Sequence, residues 1–233
     1  MLIADSRSYW RSTEDFDLNA AVIDPSDNTV KRFHIGDGIT KIALDALDRI
    51  WVSYFDEGVF GNCGWSYPGP TGIGSGGLNC FECNGKLLWQ HNSENNEGHM
   101  ENHIDDCYAM NSINDTTWFY FYSAFRLGCV TKDHKVRYCD TEISGSGDFI
   151  SDGQRFIFSP QYNEPRTKFH LAQIHWGKRS ARLDVQEQIS LCLPKEINES
   201  ERWTVVSQAD QLHVLGSGFW ATYQLQDIAA QST

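Results

Sequence analysis

Two histidines four residues apart, His99 and His103, lie in the acidic run 94–106, ENNEGHMENHIDD. On a helix that spacing puts both imidazoles on one face, an arrangement that holds zinc when further ligands are near. Asp105 would add a carboxylate, with Glu101 and Asp106 beside it, so His99, His103 and Asp105 are the candidate ligands of a divalent cation. The run departs from the metalloprotease pattern, because Met100 and not a glutamate follows His99. Asn95, Asn96 and Gly98 favour a loop, and a solvated acidic loop is the competing reading.

Other patterns lack the surroundings their chemistry needs. Gly72, Gly74 and Gly77 satisfy G-x-G-x-x-G, but a dinucleotide fingerprint follows a strand and opens a helix. Here the glycines sit in the loop 57–77 and lead into an expected strand at Leu78–Glu82. Cys80 and Cys83 form C-x-x-C without the second pair of a zinc ribbon, so Cys80 is expected in the core and Cys83 in a turn. Ser75 is one position out of register for G-x-S-x-G, and Ser146 lies in a turn with no histidine tied to it, so no nucleophilic triad is defined. Carboxylate pairs such as Asp45 and Asp48, or Asp56 and Glu57, read as turn or solvated residues.

What must position these groups is a succession of short strands. Alternating runs around Asp/Asn/Gly/Pro turns recur: 18–24 with 29–33, 39–44 with 49–55, 78–82 with 86–90, and 107–111 with 117–122. The pattern continues as 128–131 with 135–139, 148–151 with 155–158, 169–175 with 180–185, and 203–207 with 211–215. Grouped in fours, these units start near residues 17, 77, 127 and 168. A repeat of four strands every 40–50 residues marks propeller blades. The expected fold is therefore all-β, one small β-propeller domain over residues 1–233, with about five four-stranded blades. In that scheme Leu2–Ser6 and Trp220–Ile228 are the N- and C-terminal strands that close the ring; a β-sandwich is the alternative. The aromatic run Trp118–Tyr122 reads as a strand buried on both faces.

The stretch 37–55, DGITKIALDALDRIWVSYF, resembles the repeat of two-component-regulator-type propellers, an Asp-rich turn followed by an Ile-Trp-Val strand. Asp48 stands where such repeats often carry glycine. The stretches 49–65, 77–91 and 105–128 are similar to a group of uncharacterised bacterial β-propeller-like proteins. Those resemblances imply the fold and a bacterial cytosolic protein, and they imply no activity.

Nineteen basic against thirty-one acidic residues give a net charge of −12, which disfavours nucleic acid and anionic membranes as partners. No apolar run approaches a membrane span, the start of the chain lacks the apolar stretch of a secretory signal, and a cytoplasmic setting is expected. A basic protein is the partner that fits this field. The 21-residue loop 57–77 mixes aromatics with glycines as a binding loop does, or folds its rings back over a blade edge. Expected contacts are Asp56, Glu57, Trp65 and Tyr67, with Glu94, Glu97 and Glu101 as a second patch. The leading expectation is a non-catalytic binding module with an acidic loop face, of the immunity type that blocks a basic toxin or effector. The alternatives are a metal-dependent hydrolase or lyase using the histidine cluster, and a small-ligand sensor; no resident cofactor is expected beyond that divalent ion.

Overall fold

The computed structural model describes residues 1–91, 100–177, 181–192 and 203–230. The chain is all-β, and the two α-helices among the described residues have five residues each. It divides into two compact units, Met1–Cys107 with Phe121–Ala124, and Tyr108–Tyr120 with Phe125–Thr233.

The first unit begins with β1 (Leu2–Ala4), the short ladder of β2 (Trp10–Ser12) and β3 (Asp15–Phe16), and the hairpin of β4 (Ala20–Ile23) and β5 (Val30–Phe33). Next come β6 (Ile39–Leu44) and β7 (Ile50–Tyr54), helix α1 (Asp56–Phe60), β8 (Leu78–Phe81) and β9 (Leu87–Gln90). β1, β4 and β5 make one antiparallel sheet, and β6 to β9 a four-stranded meander. The β6–β7 turn is tied by one side chain. Asp45 Oδ1 accepts the amides of Leu47 and Arg49 at 2.9 and 3.0 Å, and Oδ2 accepts Arg49 Nε and the Trp51 indole at 2.7 and 2.9 Å. Asp48 takes the left-handed backbone, φ 58°, a conformation that glycine adopts most readily. Every residue of β7 is buried, and Ile50, Val52 and Tyr54 join Phe33, Ile35 and Phe81 in the core. Fully burying one such apolar side chain contributes about 1.5–3 kcal/mol before its entropy cost.

The second unit carries most of an eight-stranded sheet. Two meanders, β10 (Asp106–Ile113) to β11 (Thr116–Tyr122), β12 (Arg126–Thr131) and β13 (Val136–Thr141), and β14 (Phe149–Ser151) to β15 (Arg155–Phe158), β16 (Lys168–Trp176) and β17 (Ala181–Ser190), join edge to edge. The junction is a parallel pairing of β13 with β17, Asp140 opposite Arg182. A three-stranded sheet follows: β18 (Trp203–Gln208), β19 (Gln211–Gly216) and β20 (Phe219–Gln224). Trp118, Phe119, Tyr120 and Phe121 of β11 are all buried, as a strand covered on both faces requires, while Tyr122, the last of the aromatic run, is exposed at the strand's end.

All eight expected hairpins form, but their grouping is shifted by one hairpin. The meanders start at Ile39, Asp106 and Phe149, not near 17, 77, 127 and 168. Turn residues fix which strands make a hairpin; the ladder that joins one hairpin to the next, such as β7 with β8 across the long loop, leaves no turn signal. The two ends of the chain also enter different sheets. β1 pairs with β4, Ile3 opposite Ala21, while β20 pairs with β19. The expected C-terminal strand stops at Gln224, and α2 (Leu225–Ala229) follows, burying Leu225 and Ile228, which are three positions apart as one helix face requires.

The seven cysteines are free thiols: Cys80, Cys107, Cys129 and Cys139 are buried, Cys63 is half-buried, and Cys83 and Cys192 are exposed. Cys80 thus faces the core and Cys83 sits at the turn, where its thiol donates to the Asp48 carbonyl at 2.8 Å. Backbone closeness explains Gly76, inside the G-x-G-x-x-G stretch, and side-chain packing explains Gly77, where a Cβ would stand 2.4 Å from the Ile104 side chain. A Cβ on Gly76 would lie 1.7 Å from the His91 carbonyl oxygen, whereas one on Gly147 would meet nothing within 4 Å. Gly76→Ala is therefore expected to lower the unfolding free energy by roughly 1–3 kcal/mol. Gly147→Ala should stay within about 0.5 kcal/mol of the parent in urea unfolding; equal midpoints for the two variants would remove the packing explanation.

Candidate functional site

The long loop after β7 is built tightly onto its own unit. Phe55 N–H donates to the Gly38 carbonyl at 2.8 Å, and the backbones of Gly38 and Gly58 approach so closely that a Cβ on Gly38 would lie 2.4 Å from the Gly58 nitrogen. That contact seats α1. Arg7 then ties the loop to the N-terminal strands. Its guanidinium donates to Glu57, to Asp37 Oδ2 at 3.1 Å and to Cys63 Sγ at 2.8 Å, and lies over the Phe55 ring. The bond from Arg7 holds the Glu57 carboxyl below the usual carboxylate range. The Asp37 carboxylate, almost fully buried, also accepts the Ser8 amide at 2.8 Å.

The aromatics of this loop divide between two roles. Trp65 is buried: its indole donates to the Ser8 carbonyl at 2.8 Å and stacks on His34, with centroids 4.7 Å apart. It covers the core and leaves little surface exposed. Tyr67 is 88% exposed and Phe60 61% exposed. Asp56 is exposed at the start of α1, and Glu57 is half-buried beside Arg7.

Of the second acidic segment, Glu94, Glu97 and His99 lie outside the described residues. The chain re-enters at a single 3-10 turn, Met100–Asn102, with Met100 90% exposed and Glu101 exposed. Ile104, buried, packs on Gly77, where a Cβ would stand 2.4 Å from the Ile104 side chain. This contact sets Ile104 beside the end of the long loop, and Gly76 against His91 sets the end of β9 there as well. His103 Nδ1 meets Asp105 Oδ1 at 2.8 Å, so two of the three expected metal ligands are together. Among the described residues no three His, Cys, Asp or Glu side chains are grouped to hold a metal ion.

Two titrating groups mark this region electrostatically. Burial, and then the charge of Asp56, push the Asp106 carboxyl up to about 6. Burial lowers His91 to about 4, helped by the nearby His103; its Nδ1 lies 3.1 Å from the Gly76 carbonyl, a contact that needs the hydrogen on Nδ1. Asp106 therefore feels the charge of Asp56, the first residue of α1. Sequence patterns gave no sign of Arg7 or His91: Arg7 is 50 positions from Glu57, and no local spacing links them.

Residues 78–142, from β8 to just past β13, match the model of the YxzG family. No curated protein matches the chain. Among solved structures, virginiamycin B lyase from Staphylococcus aureus is similar at 12% identity and a TM-score of 0.43, covering 88% of this chain and 62% of that one. A catalytically inactive form of that lyase with quinupristin aligns at 10% identity and a TM-score of 0.32, over 80% of this chain and 70% of the other. The chain thus spans less than two thirds of the first of these structures, and likeness at this level transfers no chemistry. No helix among the described residues is long and apolar enough to cross a membrane.

The raised Asp106 carboxyl makes a pH prediction. Its folded value, about 6, lies above its ordinary 3.8, so its stabilising contribution is complete below about pH 4 and is lost as the pH rises through about 6. Asp106→Asn should remove that slope and raise stability at pH 8 by roughly 1–2 kcal/mol, with little change at pH 4. Urea unfolding at the two pH values measures it; an Asn variant that loses the same stability at both would show that the carboxylate is not strained.

Proposed function

We propose that the acidic face of the first unit binds a basic protein, as an immunity-type inhibitor does when it covers the site of a cationic toxin or effector. The observation that carries this reading is the packing of Ile104 on Gly77, which sets residues 100–106 beside the end of the loop that α1 opens, with the charge of Asp56 reaching Asp106 in agreement. Phe60 of α1, Tyr67 of the loop that follows it and Met100 are exposed and would supply the apolar anchors that charge alone lacks. The net charge of −12 adds long-range attraction, which speeds encounter with a cation-rich surface. Because Arg7 already neutralises part of Glu57, the contribution falls mainly to Asp56, Glu101 and the Asp105–Asp106 pair.

A second reading rests on Asp106 by itself. A carboxyl that titrates near 6 holds its proton in weakly acidic water and can deliver it, as a general acid in hydrolase or lyase chemistry requires. Under that reading the anchors are incidental, and Asp106→Asn abolishes turnover without affecting any partner.

Immobilised protein should retain one basic protein in near-equal amount at about 0.15 M salt and release it near 1 M, where screening acts within about 3 Å. Asp56→Lys with Glu101→Lys should weaken that capture at least tenfold, whereas reversal of the exposed Glu187 on β17 should leave it unchanged. Capture indifferent to salt and to both reversals would end the electrostatic reading. Loss of capture on Glu187 reversal alone would move the interface to the second unit.

A further inference from the structure

Three aromatic rings of the second unit stand as mutually steep walls. Tyr108 and Phe125 have centroids 5.9 Å apart at 73°, Tyr108 and Tyr162 6.3 Å at 82°, and Phe125 and Tyr162 6.1 Å at 75°. Each wall is braced from elsewhere. Tyr108 projects from β10 and packs, like Phe125, against the core cluster of this unit. Phe125 stacks at 22° on Tyr120, whose hydroxyl is fixed to the Ile143 carbonyl at 2.8 Å. Tyr162 lies against Gly145, where a Cβ would stand 2.3 Å from its ring, and its hydroxyl meets that of Tyr108 at 2.5 Å. Phe125 keeps a left-handed backbone, φ 49°, a conformation that a bulky residue adopts only when its surroundings impose it.

We propose that Tyr108, Phe125 and Tyr162 form a box for a methylated quaternary ammonium group. A point on the common axis of the three centroids lies within about 6 Å of each ring, the reach over which a ring quadrupole attracts a cation. Walls nearly perpendicular to one another suit a tetrahedral methylated head; a planar guanidinium prefers to lie flat on one ring. Tyr162 is 51% exposed and Tyr108 and Phe125 are partly exposed, so all three rings reach solvent, and the net negative charge of the chain concentrates cations around them. The site is separate from the acidic face of the first unit and does not depend on it.

The test is a titration with choline against 3,3-dimethylbutan-1-ol, its uncharged counterpart of the same shape, followed by ring-proton chemical shifts and calorimetry. Choline is expected to bind saturably, with the alcohol weaker by roughly tenfold. Tyr162→Leu should weaken choline to the level of the alcohol, while Tyr162→Phe, which keeps the wall and loses only the hydroxyl contact, should retain most of the affinity. Circular dichroism and unfolding midpoints of both variants verify that the unit stays folded. Equal binding of choline and the alcohol would reduce the box to an apolar pocket and overturn the proposal. Linear, unsaturable shifts with choline would overturn it as well.

Discussion

A strand with no exposed residue can exist only where neighbours cover both of its faces and both of its edges. β7 is such a strand: all five residues from Ile50 to Tyr54 are buried, with β6 on one edge and β8 on the other. The demand for double cover organises what surrounds it. It fixes the Asp45 turn, since the Trp51 indole is buried and needs an acceptor, which the Asp45 carboxylate supplies. It also requires that the loop between β7 and β8 return to the same sheet, so that the loop's 3-10 turn at Ile73–Gly76 and its glycines are held against β7 and His91. The surface carboxylates inherit their places from this packing.

The proposed acidic face would concentrate charge at a tolerable cost. At the half-buried Asp106, burial first and then the charge of Asp56 raise the carboxyl. Arg7 answers part of the charge repulsion by holding Glu57 and Asp37 together, and the exposed members shed theirs into water. A cationic surface arriving at this face would relieve repulsion that the folded chain already carries.

Much of the fold was legible because short-range chemistry writes it. Asn84-Gly85, Asp152-Gly153 and the Asp45 turn declare hairpins through backbone conformations that only certain residues tolerate. The grouping of hairpins was not legible, because the β7–β8 and β13–β17 pairings join segments far apart in sequence with no residue type that names the partner. The end at Gln224 was missed because an alternating run and the spacing of Leu225 and Ile228 overlap in a few residues. For the site, the two acidic segments could be read, since charge is a property of composition; that Trp65 turns inward and that Arg7 clamps Glu57 depend on tertiary contacts alone.

The four buried thiols have a practical consequence. Cys80 and Cys107 belong to the first unit, Cys129 and Cys139 to the second, and burial pushes Cys80, Cys129 and Cys139 well above the ordinary thiol range. A thiol in that state reacts only when its surroundings open and the thiolate can form. The chain therefore carries its own pair of clocks: the order in which these sulfurs become alkylated records which half of the molecule breathes first.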